Sequence, residues 1–264
     1  MAKKINIITL GCSKNTVDSE HLAAQLAAMD YKIVFDSDRT DADVVVINTC
    51  GFIGDAKQES IDTILRAAQL KEQGKIEELF VVGCLSQRYA DELRPELPEV
   101  DDFFGVNDWA GVVERLGAKY REENETSREL STPSHYAYLK ISEGCNWMCG
   151  YCAIPLIRGR HTSVPMEKLV AEAEALVKKG VREIMVIAQD TTYYGVDLYG
   201  ERKIAELLER LCRIEKLEWI RLHYAYPTDF PDQLIEVMAR ERKICRYLDI
   251  PFQHISDNLS LIHI

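Results

Sequence analysis

The feature that most constrains the fold is a repeated alternation of short apolar runs with longer amphipathic stretches in the N-terminal part of the chain. The apolar runs, rich in Ile, Leu and Val, span residues 5–10, 43–48 and 79–82, and stretches of helical periodicity span 17–29, 55–73 and the residues from about 86. Strands that are apolar almost throughout are buried on both faces, so they pair in parallel between covering helices. The sequence therefore predicts an α/β domain built on a parallel sheet.

A cysteine follows each of these three predicted strands. Cys12, Cys50 and Cys84 each lie at a strand end and shortly before a helix. The carboxyl ends of parallel strands share one edge of a sheet, so these three thiols should converge although they are far apart in sequence. A helix amino terminus also favours thiolate over thiol. We expect a second three-cysteine cluster site here, and the alternative is three buried structural cysteines.

A second α/β series follows a polar segment. Residues 119–134 have the composition of a linker, and strand patterns recur at 136–141, 183–188, 219–223 and 247–250, with helices between them. Repeated strand–helix units predict a TIM-like barrel, whose chemistry lies on the loops after the strands. The sequence thus predicts an N-terminal domain at 1–118, a linker at 119–134 and a second, incomplete barrel domain at 135–264.

The loop after the first strand of this second series carries the most specific motif of the chain. Cys145, Cys149 and Cys152 have the spacing C-x₃-C-x₂-C, which supplies three thiolates and no fourth. Iron–sulfur electron carriers use four cysteines, so a 4Fe-4S cluster on three leaves one iron open for a cofactor or substrate. A structural zinc site is the alternative, but zinc takes four ligands, usually from paired knuckles, and no second knuckle follows.

Composition and charge limit the compartment and the partners. The chain has 264 residues, a net charge of −11, 47% hydrophobic and 28% charged residues, and no apolar run long enough to span a bilayer. Its start lacks the pattern of a signal peptide, so we expect a reducing cytoplasmic location. The acidic balance does not support direct nucleic-acid binding. Cys212 lies on an apolar helical pattern and is interpreted as a core residue.

The order of motifs resembles a known family over essentially the whole chain. The three-cysteine spacing is similar to the signature of radical S-adenosyl-L-methionine (SAM) enzymes, and an N-terminal three-cysteine domain before such a barrel resembles the radical SAM methylthiotransferases. The segments LGCSKN at 10–15, NTCGFI at 48–53 and AQDTTYYG at 188–195 resemble the branch that modifies an aspartate of ribosomal protein S twelve. The transfer-RNA branch typically has other residues at the first two cysteines.

This resemblance implies cofactors and roles for named residues. Cys145, Cys149 and Cys152 would hold a 4Fe-4S cluster that cleaves SAM, and Cys12, Cys50 and Cys84 a second 4Fe-4S cluster that carries the transferred sulfur. Tyr151 would lie near the adenine, and Gln189 and Asp190 would line the SAM pocket, with capping of the strand end as the alternative. Arg158, Arg160 and His161 could meet SAM or an anionic substrate, with a solvated loop as the alternative.

The expected partners are ribosomal protein S twelve as substrate and an electron donor such as flavodoxin or ferredoxin. A transfer-RNA adenosine methylthiotransferase and an iron–sulfur redox protein are the alternative functions. The carboxyl terminus departs from the family pattern after Asp257, and about four barrel strands are visible where the family has six. We therefore expect a truncated chain, and the sequence does not identify the sulfur donor or the oligomeric state.

Overall fold

The computed structural model describes residues 3–39 and 41–251. These residues form two compact units that divide between Ser131 and Thr132. The residues after Asp257, where the sequence departs from the family pattern, lie outside the described part. No helix within the described ranges is long and apolar enough to cross a membrane.

The first unit is a parallel sheet of five strands in the order β2-β1-β3-β4-β5. Its elements along the chain are β1 (Lys4–Thr9), α1 (Ser13–Ala27), β2 (Lys32–Phe35), β3 (Val44–Thr49), α2 (Gly54–Glu72), β4 (Glu78–Gly83), α3 (Cys84–Glu96), β5 (Asp102–Phe103) and α4 (Trp109–Arg115). The predicted parallel α/β sheet is confirmed, but strands β2 and β5 were not predicted. Both lie at sheet edges, where half-buried or very short strands give little periodic signal.

Alternation along the central strands builds a core on each face of this sheet. Ile5, Ile7 and Val44 pack with α1 and α4, whereas Val45 and Ile47 pack with α2 and α3. Successive side chains of a strand point to opposite faces, so a strand that is covered on both sides must be apolar at every position. Strand β3 is buried along its whole length and is apolar from Val44 to Ile47, whereas Asn48 and Thr49 at its carboxyl end are buried polar residues.

The first unit continues through most of the segment predicted to be a linker. The side chain of Gln25 on α1 donates to the carbonyl of Arg121 at 2.8 Å and accepts from its backbone N–H at 3.1 Å. Further along, the buried guanidinium of Arg128 is paired with the carboxylate of Glu20. That carboxylate also accepts from the backbone N–H and the hydroxyl of Ser131, both at 2.8 Å. Residues 119–131 therefore form a strap along α1, held by these polar contacts and by Tyr120, which packs against the core.

The second unit has a parallel sheet of four strands in the order β11-β10-β9-β6 and a small antiparallel pair, β7 with β8. Its elements are β6 (Tyr136–Lys140), β7 (Ser142–Glu143), α5 (Ile154–Arg158), β8 (Thr162–Ser163), α6 (Met166–Lys178), β9 (Glu183–Ile187), α7 (Val196–Tyr199), α8 (Ile204–Cys212), β10 (Trp219–Leu222), α9 (Asp232–Arg240) and β11 (Ile244–Leu248). Parallel strands separated by helices are the repeated units of a TIM-like barrel.

The last strand begins three residues before its predicted start. Ile244 is buried and pairs with Ile220 of β10, whereas Tyr247 and Leu248 are exposed. The sequence predicts this strand from the apolar residues within 247–250, but pairing with β10 begins at Ile244. Strands β7 and β8 were not predicted either, because two-residue strands carry no periodicity.

Candidate metal centres and cofactor site

The first unit carries Cys12, Cys50 and Cys84 on three neighbouring loops at the carboxyl edge of its sheet. Cys12 is the residue before α1, Cys50 directly follows β3, and Cys84 is the first residue of α3. All three are free thiols, and Cys84 is buried. Because β2 is an additional strand that was not predicted, Cys50 and Cys84 follow the third and fourth strands of the chain rather than the second and third. Both cysteines still lie at the same edge of the sheet.

Two glycines allow these loops to approach one another. A Cβ atom added at Gly11 would lie 2.7 Å from the Cβ of Cys50 and 3.1 Å from its Sγ. A Cβ added at Gly51 would lie 2.6 Å from the carbonyl oxygen of Cys84. Gly11 also has a φ of +92°, which side chains other than glycine rarely adopt. The loop of Cys50 therefore contacts those of both other cysteines, and only glycine fits at the two contacts.

Asn15 links the same loops by hydrogen bonds and was not singled out from the sequence. Its amide nitrogen donates to the carbonyls of Leu10 at 2.8 Å and Thr49 at 3.1 Å. Its side-chain oxygen lies 3.9 Å from the Sγ of Cys84. The side chain is completely buried. The sequence shows that Asn15 lies three residues after Cys12. Its contacts with Thr49 and Cys84 depend on which strands are neighbours in the sheet.

The second unit presents Cys145, Cys149 and Cys152 on one loop after β7. The backbone N–H of Cys145 donates to Gly159 at 3.1 Å, and that of Cys152 donates to Cys149 at 2.9 Å. Burial raises the pKa of the Cys145 thiol, and the charges of Asp190 and of the other two cysteines act in the same direction. Backbone hydrogen bonds thus order this loop at its first and last cysteines.

The donor chemistry of both sets fits an iron–sulfur cluster. Within residues 3–39 and 41–251, no three Cys, His, Asp or Glu side chains are arranged around one point as ligands to one metal ion. In a 4Fe-4S cluster each thiolate binds a different iron, so the three sulfurs need not converge on a point. Both sets consist of three free thiols on adjoining backbone, which is the donor set that such a cluster takes.

A buried ion-pair network closes the signature loop at its two ends. Glu143 precedes Cys145 and accepts from Arg158 at 2.9 Å and from Lys140 at 2.7 Å. Burial opposes the ionised form, but these two cations hold the pKa of the Glu143 carboxyl well below its usual range. The hypothesis that Arg158 meets SAM or substrate is not supported, because its guanidinium pairs with Glu143 inside the unit. His161 is also buried, with Nε2 3.0 Å from the hydroxyl of Ser163.

The three residues assigned to the SAM pocket have different surroundings. Tyr151 is 59% exposed beside the cysteines, and Gln189 is half-buried two residues after the end of β9. Asp190 is buried and caps the short 3₁₀ turn Thr191–Tyr193, accepting from the backbone N–H of Thr192 at 2.9 Å. Capping, the alternative interpretation of Asp190, is therefore its observed local role.

Two protein-family models match the chain in the same order as these sites. Residues 4–105 match UPF0004, an uncharacterized protein family, and residues 139–263 match the radical SAM superfamily. The first match contains the three strand-end cysteines, and the second contains the three signature cysteines. The class that the second unit defines is therefore that of the radical SAM proteins.

Relatives align across both units. The chain is 56% identical over 255 residues to "Ribosomal protein uS12 methylthiotransferase RimO" of Phocaeicola vulgatus, with 97% of this chain and 59% of that protein covered. RimO proteins of Bacteroides fragilis and Porphyromonas gingivalis are 56% and 53% identical, over 97% and 96% of this chain and 60% and 58% of their own lengths. The chain is thus similar to RimO proteins across both units, and it spans about three fifths of the length of these curated relatives.

Solved structures of similar fold are radical SAM enzymes of other kinds. The methyltransferase TsrM from Kitasatospora setae, solved with cobalamin and an iron–sulfur cluster bound, matches with a TM-score of 0.64 at 12% identity, over 97% of this chain and 62% of that one. OxsB, a cobalamin-dependent SAM radical enzyme, matches with a TM-score of 0.56 at 10% identity, over 90% of this chain and 41% of that one. At such low identity these likenesses establish the fold alone.

Proposed function

We propose that this chain is part of a radical SAM methylthiotransferase that adds a methylthio group to an aspartate side chain of ribosomal protein uS12. The observation that carries the proposal is the pairing of two separate three-cysteine sites, one at the sheet edge of the first unit and one on the signature loop of the second. A radical SAM enzyme that only cleaves SAM needs the second site alone. The first site supplies the additional centre that sulfur transfer requires.

Each set of cysteines has a distinct role in this proposal. A 4Fe-4S cluster on Cys145, Cys149 and Cys152 would supply the electron that cleaves SAM, and one on Cys12, Cys50 and Cys84 would carry the sulfur to be transferred. Asn15, Gly11 and Gly51 allow the loops of Cys12, Cys50 and Cys84 to lie close together. The Glu143–Arg158 pair fixes the two ends of the signature loop, since it joins residues on either side of the three cysteines.

The exposed ring of Tyr151 and the half-buried amide of Gln189 are proposed to contact SAM. Both lie on loops that follow strands of the second unit, where barrel enzymes bind their ligands. Tyr151 can offer an apolar ring face to an adenine, and Gln189 offers both a donor and an acceptor. Asp190 has less freedom to bind SAM, because its oxygens are already engaged within the unit.

The acidic charge of the chain favours a basic protein as substrate over a polyanion, because like charges oppose association. Ribosomal protein uS12 is therefore preferred to transfer RNA, the alternative substrate. The cytoplasm is the expected compartment, with flavodoxin or ferredoxin as the electron donor. A redox protein without SAM chemistry is the alternative of another class. It would show no change in the electron paramagnetic resonance (EPR) signal of its reduced cluster when SAM is added.

Mass spectrometry of cells with and without the gene tests the substrate. Deleting the gene should remove the mass of SCH₃ replacing H from an aspartate of uS12, and leave digested transfer RNA unchanged. Complementation with Cys50→Ala should fail, whereas Cys212→Ala, a matched change outside both cysteine sets, should restore the modification. Loss of a modified adenosine with uS12 unchanged would assign the protein to the transfer-RNA branch instead.

A further inference from the structure

Trp147 connects the signature loop to the end of strand β9. It lies between Cys145 and Cys149, and its indole N–H donates to Oδ2 of Asp190 at 2.7 Å. Asp190 is 2% exposed and follows β9 by three residues. A hydrogen bond from a neutral donor to a buried carboxylate is among the stronger kinds, since one partner carries a full charge. The loop is therefore tied to the sheet at a point between its first two cysteines.

The other oxygen of Asp190 is also occupied. Oδ1 accepts from the backbone N–H of Thr192 at 2.9 Å and from its hydroxyl at 2.6 Å. With both oxygens engaged, the carboxylate cannot rotate without breaking a bond. No Lys, Arg or His among the described residues forms an ion pair with it, so the three hydrogen bonds that it accepts come from neutral donors.

Aromatic contacts hold the indole ring from two directions. The ring of Tyr226 stacks on Trp147 at 4.8 Å with an interplanar angle of 29°, and that of Tyr193 meets it edge-on at 6.1 Å. Tyr193 is held in turn by the guanidinium of Arg202, 5.3 Å from its ring centre. The indole therefore has one position, and the direction of its N–H is fixed with it.

We propose that Asp190 is a positioning residue for the radical SAM cluster: through Trp147 it anchors the cysteine loop, and its fixed charge lowers the cluster's reduction potential. This inference rests on the cluster proposed for Cys145, Cys149 and Cys152. The potential of an iron–sulfur cluster depends on nearby charge, hydrogen bonds and solvent exposure. A buried anion beside the cluster disfavours the added electron, which makes the reduced cluster a stronger reductant for SAM.

Three substitutions separate the charge from the anchor. Asp190→Asn removes the charge, and it also breaks a bond, because an amide has one oxygen and cannot accept from both Thr192 and Trp147. Trp147→Phe removes the indole donor but keeps a ring for Tyr226 and the charge of Asp190. Asp197→Asn is the matched control, since Asp197 accepts from the backbone N–H and hydroxyl of Ser163 at 2.8 and 2.6 Å but does not contact the cysteine loop.

Redox titration followed by EPR measures the effect in a full chain with Cys12, Cys50 and Cys84 changed to alanine. Only the signature site can then give a cluster signal. Asp190→Asn should shift the midpoint potential to more positive values, Trp147→Phe should shift it less, and Asp197→Asn should leave it unchanged. An unshifted Asp190→Asn chain, or an equal shift in Asp197→Asn, would overturn the proposal. A parent chain that binds no iron would instead refute the proposed function.

Iron release to a chelator tests the anchor independently of the charge. Trp147→Phe should lose iron several-fold faster than the parent chain, because the loop between Cys145 and Cys149 has lost its bond to β9. Equal release rates would refute the anchor. If Asp190→Asn melts as the parent does yet takes up no iron, that result supports the anchor. If Asp190→Asn does not fold, the rate of iron release from Trp147→Phe decides whether the anchor exists.

Discussion

Replacing Glu20 by glutamine should destabilise the first unit more than any exposed charge change. Glu20 and Arg128 are 0% and 1% exposed at their side chains, and the carboxylate holds the strap at two places, Arg128 and Ser131. Glutamine keeps the shape but removes the charge, so the buried guanidinium loses its carboxylate partner. Breaking one side of a buried ion pair costs about 3–5 kcal/mol, whereas a neutral hydrogen bond contributes about 1 kcal/mol.

Hydrogen exchange read by mass spectrometry localises this loss within the chain. Peptides from β1 and β3 report the opening of the first unit, and peptides from β6 and β9 provide an internal control. Since about 1.4 kcal/mol corresponds to a tenfold change, exchange in the first unit should accelerate by about a hundredfold or more. Peptides of the second unit should exchange as before.

Glu77→Gln is the matched control, because it is the same chemical change in an exposed pair. Lys3 and Glu77 lie 3.1 Å apart with 47% and 61% of their side chains exposed. Such pairs contribute at most about 1 kcal/mol, so exchange should change by less than about tenfold. If Glu20→Gln behaved like Glu77→Gln, the strap would not be held by the buried pair and the reasoning would be wrong.

One further substitution tests the first cysteine site, and one alkylation experiment tests the burial of Cys212 outside both sites. Gly11→Ala should lower the iron bound at Cys12, Cys50 and Cys84, because the added Cβ would lie 2.7 Å from the Cβ of Cys50 at a φ of +92°. Gly74→Ala is the control, since Gly74 has a φ of +71° with open space around it. Equal amounts of bound iron in the two variants would contradict the close approach. Burial raises the pKa of the Cys212 thiol to about 11, so its thiolate is scarce at pH 8 and forms as pH approaches that value. Alkylation of Cys212, followed by peptide mass spectrometry, should therefore be slow at pH 8 and accelerate towards pH 11, and labelling at the rate of an unstructured cysteine peptide at pH 8 would contradict it.

Much of the fold was predictable because burial on two faces leaves a strong sequence pattern. Strand β3 is fully buried and apolar at its first four positions, and α6 has the helical spacing that covers a sheet. Strands β2 and β11 were missed or displaced because edge strands are partly exposed, and exposed positions accept any residue type. The strap has the composition of a linker because the buried pair of Glu20 and Arg128 stabilises it through charge, and a charged pair leaves no periodic pattern in the sequence.

The six cysteines of the candidate sites could be predicted from the sequence, but the residues that surround and hydrogen-bond their loops could not. Spacing identified Cys145, Cys149 and Cys152, and strand ends identified the other three. The contacts of Asn15 with residues 10 and 49 depend on which strands are neighbours, and the bond between Trp147 and Asp190 spans 43 positions of sequence. Such partners are specified by topology, so a single sequence could suggest Asp190 but not the residue that it holds.

Iron analysis of the anaerobically reconstituted chain tests the central claim, that the protein holds two clusters on two independent sets of cysteines. The chain should bind about eight irons, since each three-cysteine set can hold one four-iron cluster. Replacing Cys145, Cys149 and Cys152 together by alanine should halve the iron and labile sulfide, and so should replacing Cys12, Cys50 and Cys84. Replacing Cys212 should change neither. Iron and sulfide that remained unchanged after the second triple substitution would show that the first unit holds no cluster, and would contradict the account.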